Sequence, residues 1–202
     1  PENKFSSGYK DVYQILNSII HASEATYKLD LNNIALGGYS SGGNFAALAA
    51  IDAIKAKLPI HYQVLVSPIT DLSRSLTSMK KYRHLKQFQE KDRVVSEQFT
   101  DWVIKLYLPN HVNRKNPLVS PFWQSDENIK DLPFTDIFFG ERDQCRSDAE
   151  AYKEKLEKNN VSVNSFMFEG EDHSMIWRNL DVIISLADRI KYVFENHKVT
   201  KH

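Results

Sequence analysis

Three side chains of this sequence are of the types that together can activate a hydroxyl group for attack on a carbonyl: Ser40, Asp143 and His173. A serine is a weak nucleophile at its free pKa. A histidine can take the serine proton and later protonate the leaving group, because imidazole titrates near neutral pH. A carboxylate holds the histidine in the correct tautomer and stabilises the imidazolium. The three residue types therefore predict acyl transfer through a serine.

Ser40 is the central residue of 38–42, which read G-Y-S-S-G and fit the G-x-S-x-G nucleophile elbow. An apolar run at 34–36 predicts a strand before this turn, and small residues at 45–51 predict a helix after it. We expect both flanking positions to require glycine, because a side chain there would clash with the backbone. Ser41 is a rival nucleophile, but it lies one residue past the centre. Its backbone N–H, at the helix N-terminus, is the predicted oxyanion donor.

The elements that must position these residues follow an α/β pattern. Apolar runs predict further strands at 62–66, 134–140 and 161–168, the last an edge strand, and helical spacing predicts helices at 9–27, 45–57, 147–158 and 179–196. Alternating strands and helices predict a parallel sheet flanked by helices. Ser40, Asp143 and His173 each follow a predicted strand, and the carboxyl ends of parallel strands meet at one edge. Glu141 and Asp172 are nearby rivals for the acid role.

Residues 71–112 interrupt this alternation and are predicted to form a partial lid. They contain a basic run at 80–86, interpreted as a solvated face, and a helix that ends at Pro109. The apolar stripe of that helix is interpreted as packing, although some of its residues are expected to contact substrate; it comprises Val95, Phe99, Trp102, Val103 and Leu106.

Composition narrows the remaining possibilities. The 202 residues suit one domain, 1–202, and the balance of 26 basic and 26 acidic residues gives no electrostatic case for nucleic acid or an anionic membrane. The single cysteine, Cys145, excludes an internal disulfide and is interpreted as a small turn residue. We found no metal-ligand spacing and expect no cofactor.

No apolar run approaches the roughly 20 residues of a membrane span, and no signal peptide is recognisable at the N-terminus, so we expect a cytoplasmic protein. The sequence does not begin with Met, which suggests processing or a start within a longer chain.

At these residues the sequence resembles the hormone-sensitive-lipase-like branch of the α/β-hydrolases, which includes bacterial carboxylesterases and arylacetamide-deacetylase-like enzymes. Residues 38–44 are similar to the family's G-D-S-A-G-G-N, 1–5 to its P-E-H-x-F-P and 116–121 to its D-P-x-x-S-P. Residues 132–143 resemble its L-P-P…G-x-x-D, and His173 stands where the family has its histidine. The resemblance implies the α/β-hydrolase fold and an esterase that uses Ser40, Asp143 and His173.

The sequence departs from the family pattern in three respects. Tyr39 and Ser41 replace the aspartate and alanine around the serine, and Ser174 and Met175 replace the usual Gly-Phe after the histidine. No H-G-G-G segment, which supplies the family's other oxyanion donors, occurs in the 202 residues. We therefore expect a sheet that lacks the family's N-terminal strands.

Two functions from different classes follow. The first is hydrolysis of short- to medium-chain carboxylic esters, in which the partner is a small-molecule ester substrate. The sequence leaves open whether the chain forms a homodimer. The second is a truncated or inactive hydrolase-fold protein that binds a ligand or partner. An amidase or peptidase that uses the same three residues is not separated from the first by sequence.

Overall fold

The computed structural model of the chain describes residues 2–22, 30–31, 33–79, 81–82, 85–89, 91–92 and 95–196. These residues form a four-stranded parallel sheet in which neighbouring strands follow one another in the chain. The strands are β1 (Ala35–Tyr39), β2 (Tyr62–Val66), β3 (Phe134–Gly140) and β4 (Val163–Phe168). The predicted α/β fold with a parallel sheet is confirmed.

The register of the sheet aligns the carboxyl ends of its strands. Tyr39 pairs with Val66, Val66 with Phe138, and Phe138 with Phe166. All five residues of β2 are buried, because the strand lies inside the sheet and helices cover both faces. In this sheet β1 and β4 are the edge strands, and their residues are only partly buried or exposed. The predicted edge position of the fourth strand is confirmed.

Helices connect and cover the strands, together with a short 3₁₀ turn at Pro121–Trp123. The helices described are α1 (Ser7–Ala22), α2 (Ser41–Lys55), α3 (Ser75–Ser78), α4 (Lys86–Gln89), α5 (Glu97–Tyr107), α6 (Asp126–Ile129), α7 (Arg146–Lys158), α8 (Met175–Arg178) and α9 (Leu180–Asn196).

The core has a layer on each face of the sheet. On one face, α2 and α7 pack against β2 and β3 through a cluster that includes Ala47, Leu65, Ile137, Tyr152 and Leu156. On the other face, α9 covers Val64, Val66 and Phe138 with Val182 and Val193. Residues alternate between the two layers along β2 and β3, as the two-residue period of a strand requires. The run of alanines in α2 lets this helix lie close to the sheet, and α1 packs on its other side.

Helix boundaries differ most from the sequence prediction in the first two helices, and elsewhere by one or two residues. The helix predicted from residue 45 already begins at Ser41, because the chain turns into the helix directly after Ser40 and tertiary context overrides the low helix propensity of Gly42 and Gly43. The first helix begins at Ser7 and ends at Ala22; the predicted extension over 23–27 lies outside the described residues.

Two interpretations of the 71–112 segment are wrong in part. Within the basic run, Tyr82 and Leu85 are buried against Leu76 and Ala151, so these positions are not solvated; residues 80, 83 and 84 lie outside the described residues. In α5, Phe99 is 50% and Trp102 56% exposed, whereas Thr100 and Ile104 are buried. Both faces of α5 carry apolar residues, so their spacing could not indicate which face packs inward.

Over the described residues, no helix is both long and apolar enough to cross a membrane.

Candidate active site

The three candidate residues follow the carboxyl ends of three strands. Ser40 comes directly after β1, Asp143 lies in the loop after β3, and His173 lies in the loop after β4. The loops after β3 and β4 touch, since the N–H of Arg142 donates to the carbonyl of Glu171 at 2.8 Å. Gly140 permits this approach, because a Cβ there would lie 2.5 Å from the Glu171 oxygen. This contact brings the loop that carries Asp143 and the loop that carries His173 together.

Ser40 has a backbone conformation that serine rarely adopts. Its φ of 57° and ψ of −117° place it in the positive-φ region, which costs a non-glycine residue roughly 1–3 kcal/mol. The N–H of Ser40 donates to the carbonyl of Val66 at 2.9 Å, and α2 begins at the next residue. The turn between β1 and α2 is therefore the strained strand-to-helix turn that the sequence motif predicts.

The two glycines that flank Ser40 are not equivalent. A Cβ on Gly38 would lie 2.1 Å from the carbonyl oxygen of Gly42, so position 38 admits no side chain. A Cβ on Gly42 meets no heavy atom within 4 Å. The expectation that both flanking positions require glycine is correct for Gly38 and wrong for Gly42, whose side-chain direction leads away from the turn. Gly43 is the second crowded position, with Pro68 Cβ at 3.0 Å.

This difference predicts opposite results for two matched substitutions. Gly38→Ala should lower the free energy of unfolding by about 3 kcal/mol or more, because the backbone must move to relieve the clash. Gly42→Ala should leave stability unchanged or raise it slightly, since alanine is the better helix former. Thermal unfolding of both variants beside the parent measures this, and equal destabilisation would contradict the geometry of the turn.

The structure brings Ser40, His173 and Asp143 into one hydrogen-bonded chain. Ser40 Oγ lies 2.8 Å from His173 Nε2. His173 Nδ1 lies 2.9 Å from Asp143 Oδ1. Because a carboxylate only accepts hydrogen bonds, Nδ1 is assigned as the donor, which leaves Nε2 to accept the Ser40 proton. Asp143 is fully buried and His173 nearly so.

The rival residues make other contacts. Ser41 is exposed at the first position of α2, where its N–H has no acceptor within the helix. Glu141 accepts a hydrogen bond from the N–H of Gly170 at 2.9 Å. Asp172 accepts from the N–H of Ser174 and from Arg178, at 3.0 and 2.7 Å. These contacts stabilise the loop around His173, and the carboxylate on the imidazole is that of Asp143.

The backbone of His173 is also held by side chains. The hydroxyl of Tyr39 donates to the His173 carbonyl at 2.6 Å, and the two rings are 5.1 Å apart. On the other side, the N–H of His173 donates to the Asp92 carboxylate at 3.4 Å. Sequence reasoning noted Tyr39 only as a departure from the family and did not find Asp92. Nothing in the sequence signals either contact, because both join residues far apart in the chain.

Cys145 contributes more to the site than a small turn residue would. Its N–H donates to Asp143 Oδ1 at 2.7 Å, so it helps to fix the carboxylate. The side chain is buried beside His173, and burial raises the pKa of the thiol. A neutral, buried thiol is a poor nucleophile.

Electrostatics in the site favour protonation of His173. Burial alone lowers the pKa of its imidazole, but the neighbouring Cys145 and Asp143 outweigh burial and raise that pKa above the ordinary value. Because the Cys145 thiol is itself neutral at ordinary pH, we attribute the rise to the Asp143 carboxylate. The same interaction would stabilise an imidazolium if Ser40 transferred its proton to His173.

Asp143, Cys145 and His173 also form a grouping of metal-ligand types that was not visible in the sequence. One potential ligand atom of each lies within 4.8 Å of the other two. The grouping is accounted for by protein contacts, because Asp143 Oδ1 already binds His173 Nδ1 at hydrogen-bond distance. The absence of a metal stays a prediction.

An apolar cavity of about 230 Å³ begins beside the turn. Ser41 and Asn44 of α2 line one side of it. The rest of its wall is apolar and is drawn largely from the 71–112 segment, with Phe45, Ile69, Leu72, Val103, Ile104 and Tyr107. Asn44 ties this wall to the helix, since its amide donates to the carbonyls of Ile69 and Val119 at 2.8 and 2.9 Å.

A protein-family model described as the alpha/beta hydrolase fold matches residues 1–177. The chain belongs to the α/β-hydrolase family. Its motifs and relatives place this α/β-hydrolase in the hormone-sensitive-lipase-like type, as the sequence resemblance implies.

Several relatives and solved structures similar to this α/β-hydrolase are named as esterases, whereas three relatives from Arabidopsis thaliana, 26–27% identical, are named as gibberellin receptors. An arylesterase of Saccharolobus solfataricus is 32% identical over 178 residues, which are 87% of this chain and 55% of the relative. An esterase of Fusarium pseudograminearum is 29% identical over 86% of this chain and 52% of its own length. A hyperthermophilic esterase from the archaeon Pyrobaculum calidifontis shares the fold, with a TM-score of 0.85 and 22% identity over 98% of this chain and 64% of that chain. The chain thus spans about half the length of the curated relatives it matches.

Proposed function

We propose that this α/β-hydrolase is a serine esterase that cleaves short- to medium-chain carboxylic esters through an acyl-enzyme intermediate. The observation that carries the proposal is the hydrogen-bonded order Ser40–His173–Asp143, with Ser40 on a strained turn at the start of a helix. The names of two relatives, an esterase and an arylesterase, support the same reaction class.

In the proposed reaction, Ser40 Oγ attacks the ester carbonyl carbon as His173 Nε2 takes the hydroxyl proton. The carbonyl oxygen becomes an oxyanion, and the N–H of Ser41 is the proposed donor to it, aided by the helix N-terminus. The intermediate collapses when its bond to the leaving alkoxide breaks and protonated His173 gives that oxygen its proton, which releases the alcohol and leaves an acyl group on Ser40. Water then attacks the acyl group with His173 as base, and the acid is released with Ser40 restored.

The apolar cavity beside Ser41 is the proposed site for the acyl chain. Its volume of about 230 Å³ is below the roughly 300–1,000 Å³ typical of drug-sized ligand pockets, which favours small acyl groups. Leu72, Val103 and Tyr107 supply part of its wall, so we propose residues 71–112 as a partial lid that contacts substrate.

Narrowing this cavity should shorten the preferred substrate. Val103→Trp is expected to reduce kcat/KM for octanoyl esters at least 10-fold relative to acetyl esters, because the indole occupies space needed by the longer chain. Trp102→Ala, on the exposed side of the same helix, should leave that ratio unchanged. Rates measured on p-nitrophenyl esters of graded chain length decide this, and an unchanged ratio in Val103→Trp would exclude the cavity as the acyl site.

The rate of Ser40 modification should depend on the protonation of His173. Only the neutral imidazole accepts the serine proton, so the rate should rise with pH through the pKa of His173. That pKa is raised, so the midpoint should lie above the ordinary histidine value of about 6.5. Labelling rates with a fluorophosphonate between pH 5 and 9 measure this rise, and a midpoint below 6.5 would contradict the effect assigned to the Asp143 carboxylate.

The experiment that tests the proposal is hydrolysis of p-nitrophenyl acetate and butyrate by the parent and by Ser40→Ala. Turnover by the parent and its loss in the variant support the esterase. A second candidate is a protein that binds an apolar ligand in the same cavity without cleaving it, which the relatives named as gibberellin receptors favour. Binding of a butyrate ester without turnover would support this second function.

A further inference from the structure

Side chains of the 71–112 segment contact the loop that carries Asp143. Both backbone polar groups of Gln144, the residue after Asp143, bind side chains of the segment: Arg74 donates to the Gln144 carbonyl at 3.0 Å, and the Gln144 N–H donates to the Asp92 carboxylate at 3.1 Å. The guanidinium of Arg146 lies over the ring of Phe88, 5.7 Å from its centre. Three side chains of the segment thus contact the first residues after Asp143.

Asp92 also contacts the second loop of the site. The same carboxylate oxygen, Oδ2, accepts hydrogen bonds from the N–H of Gln144 and from the N–H of His173. Its other oxygen, Oδ1, accepts from the N–H of Val95 at 3.0 Å, which fixes the orientation of the carboxylate. Asp92 Oδ2 therefore bridges the backbone N–H groups of Gln144 and His173.

Arg74, which donates to the Gln144 carbonyl, is itself held in place. Its guanidinium pairs with the buried carboxylate of Asp148 in α7 at 3.3 Å. Asp148 Oδ2 in turn accepts the N–H groups of Thr70 and Asp71 at 2.9 and 3.0 Å. The start of the segment is thereby attached to α7, and Asp92, near the middle of the segment, binds the N–H of Gln144.

We propose that Asp92 is a positioning residue for the base of the reaction, holding the Asp143 and His173 loops at the separation that the Ser40–His173 hydrogen bond requires. The proposal rests on the esterase function proposed above. With this role of Asp92, the 71–112 segment would position His173 as well as line the cavity. Displacement of residues 91–92 would release the backbone N–H of His173, and this would loosen the alignment of its imidazole. Catalytic groups displaced by about 1 Å can lose about 10²-fold in rate.

The test compares Asp92→Ala and Asp92→Asn with Asp101→Ala. Asp101 lies in the same segment, but its carboxylate pairs with Lys105 and Arg114. Three quantities are measured on the full chain: the second-order rate of fluorophosphonate labelling at Ser40, the exchange rates of the Gln144 and His173 amide protons, and the proton NMR signal of His173 Nδ1–H. The last two do not require turnover.

We expect Asp92→Ala to slow labelling about 10- to 100-fold, to speed exchange of both amides and to broaden or remove the Nδ1–H signal. Asp92→Asn, which keeps an oxygen acceptor, should recover part of each loss, and Asp101→Ala should match the parent. Parent-like labelling, exchange and Nδ1–H signal in Asp92→Ala would overturn the proposal. If the parent itself is not labelled, the esterase function fails, and amide exchange with the Nδ1–H signal then decides the role of Asp92 alone.

Discussion

Replacement of His173 by glutamine is expected to reduce kcat for ester hydrolysis about 10⁶-fold. This is the scale of loss when the histidine base of a serine–histidine–aspartate triad is removed. Glutamine is similar in length but cannot take a proton from Ser40. The imidazole Nε2 is the group within hydrogen-bond distance of Ser40 Oγ, at 2.8 Å. Hydrolysis of p-nitrophenyl butyrate, followed at high enzyme concentration, measures the loss.

His111→Gln is the control, because His111 is an exposed histidine in the loop after α5. It should keep the parent rate. Circular dichroism and thermal unfolding of both variants separate loss of the base from loss of the fold. A His173→Gln variant that is folded and retains more than about a tenth of the parent kcat would show that His173 is not the base.

The second large effect is expected from Asp143→Asn, which should lower kcat about 10⁴-fold, because asparagine neither holds the correct imidazole tautomer nor stabilises the imidazolium. Asp143 is fully buried, and its Oδ1 binds both His173 Nδ1 and the N–H of Cys145. The loss should appear in kcat and leave KM within about threefold, since the carboxylate lies behind the imidazole and away from substrate. Steady-state hydrolysis of p-nitrophenyl butyrate gives both constants.

Asp172→Asn is the matched comparison, because Asp172 precedes His173 in the chain and is the rival acid. Its carboxylate binds Ser174 and Arg178, so its loss should cost less than about 10-fold in kcat, through a looser loop. If Asp172→Asn were the more damaging of the two, the acid would have to be reassigned.

The sequence was informative where local patterns decide the structure. Apolar runs such as 62–66 and 134–140 predicted the strands, and their order predicted a parallel sheet, because each helix returns the chain to the same end. Ser40, Asp143 and His173 could be selected since each follows a strand, and the register of a parallel sheet brings those ends together.

The sequence was less informative where tertiary contacts decide. The spacing in α5 did not reveal that Phe99 and Trp102 are exposed, because an amphipathic pattern does not say where the core lies. The G-x-S-x-G pattern could not separate the crowded Gly38 from the open Gly42. The contacts of Tyr39 and Asp92 with His173 join residues 134 and 81 positions apart, and no local signal records such pairs.

Covalent labelling shows whether Ser40 is an activated nucleophile. The parent and Ser40→Ala are treated with a fluorophosphonate at pH 8. Intact mass then counts the adducts, and peptide mapping locates them. We predict one adduct on the parent, located on Ser40, and none on Ser40→Ala. An adduct on Ser41, or equal labelling of both proteins, would contradict it.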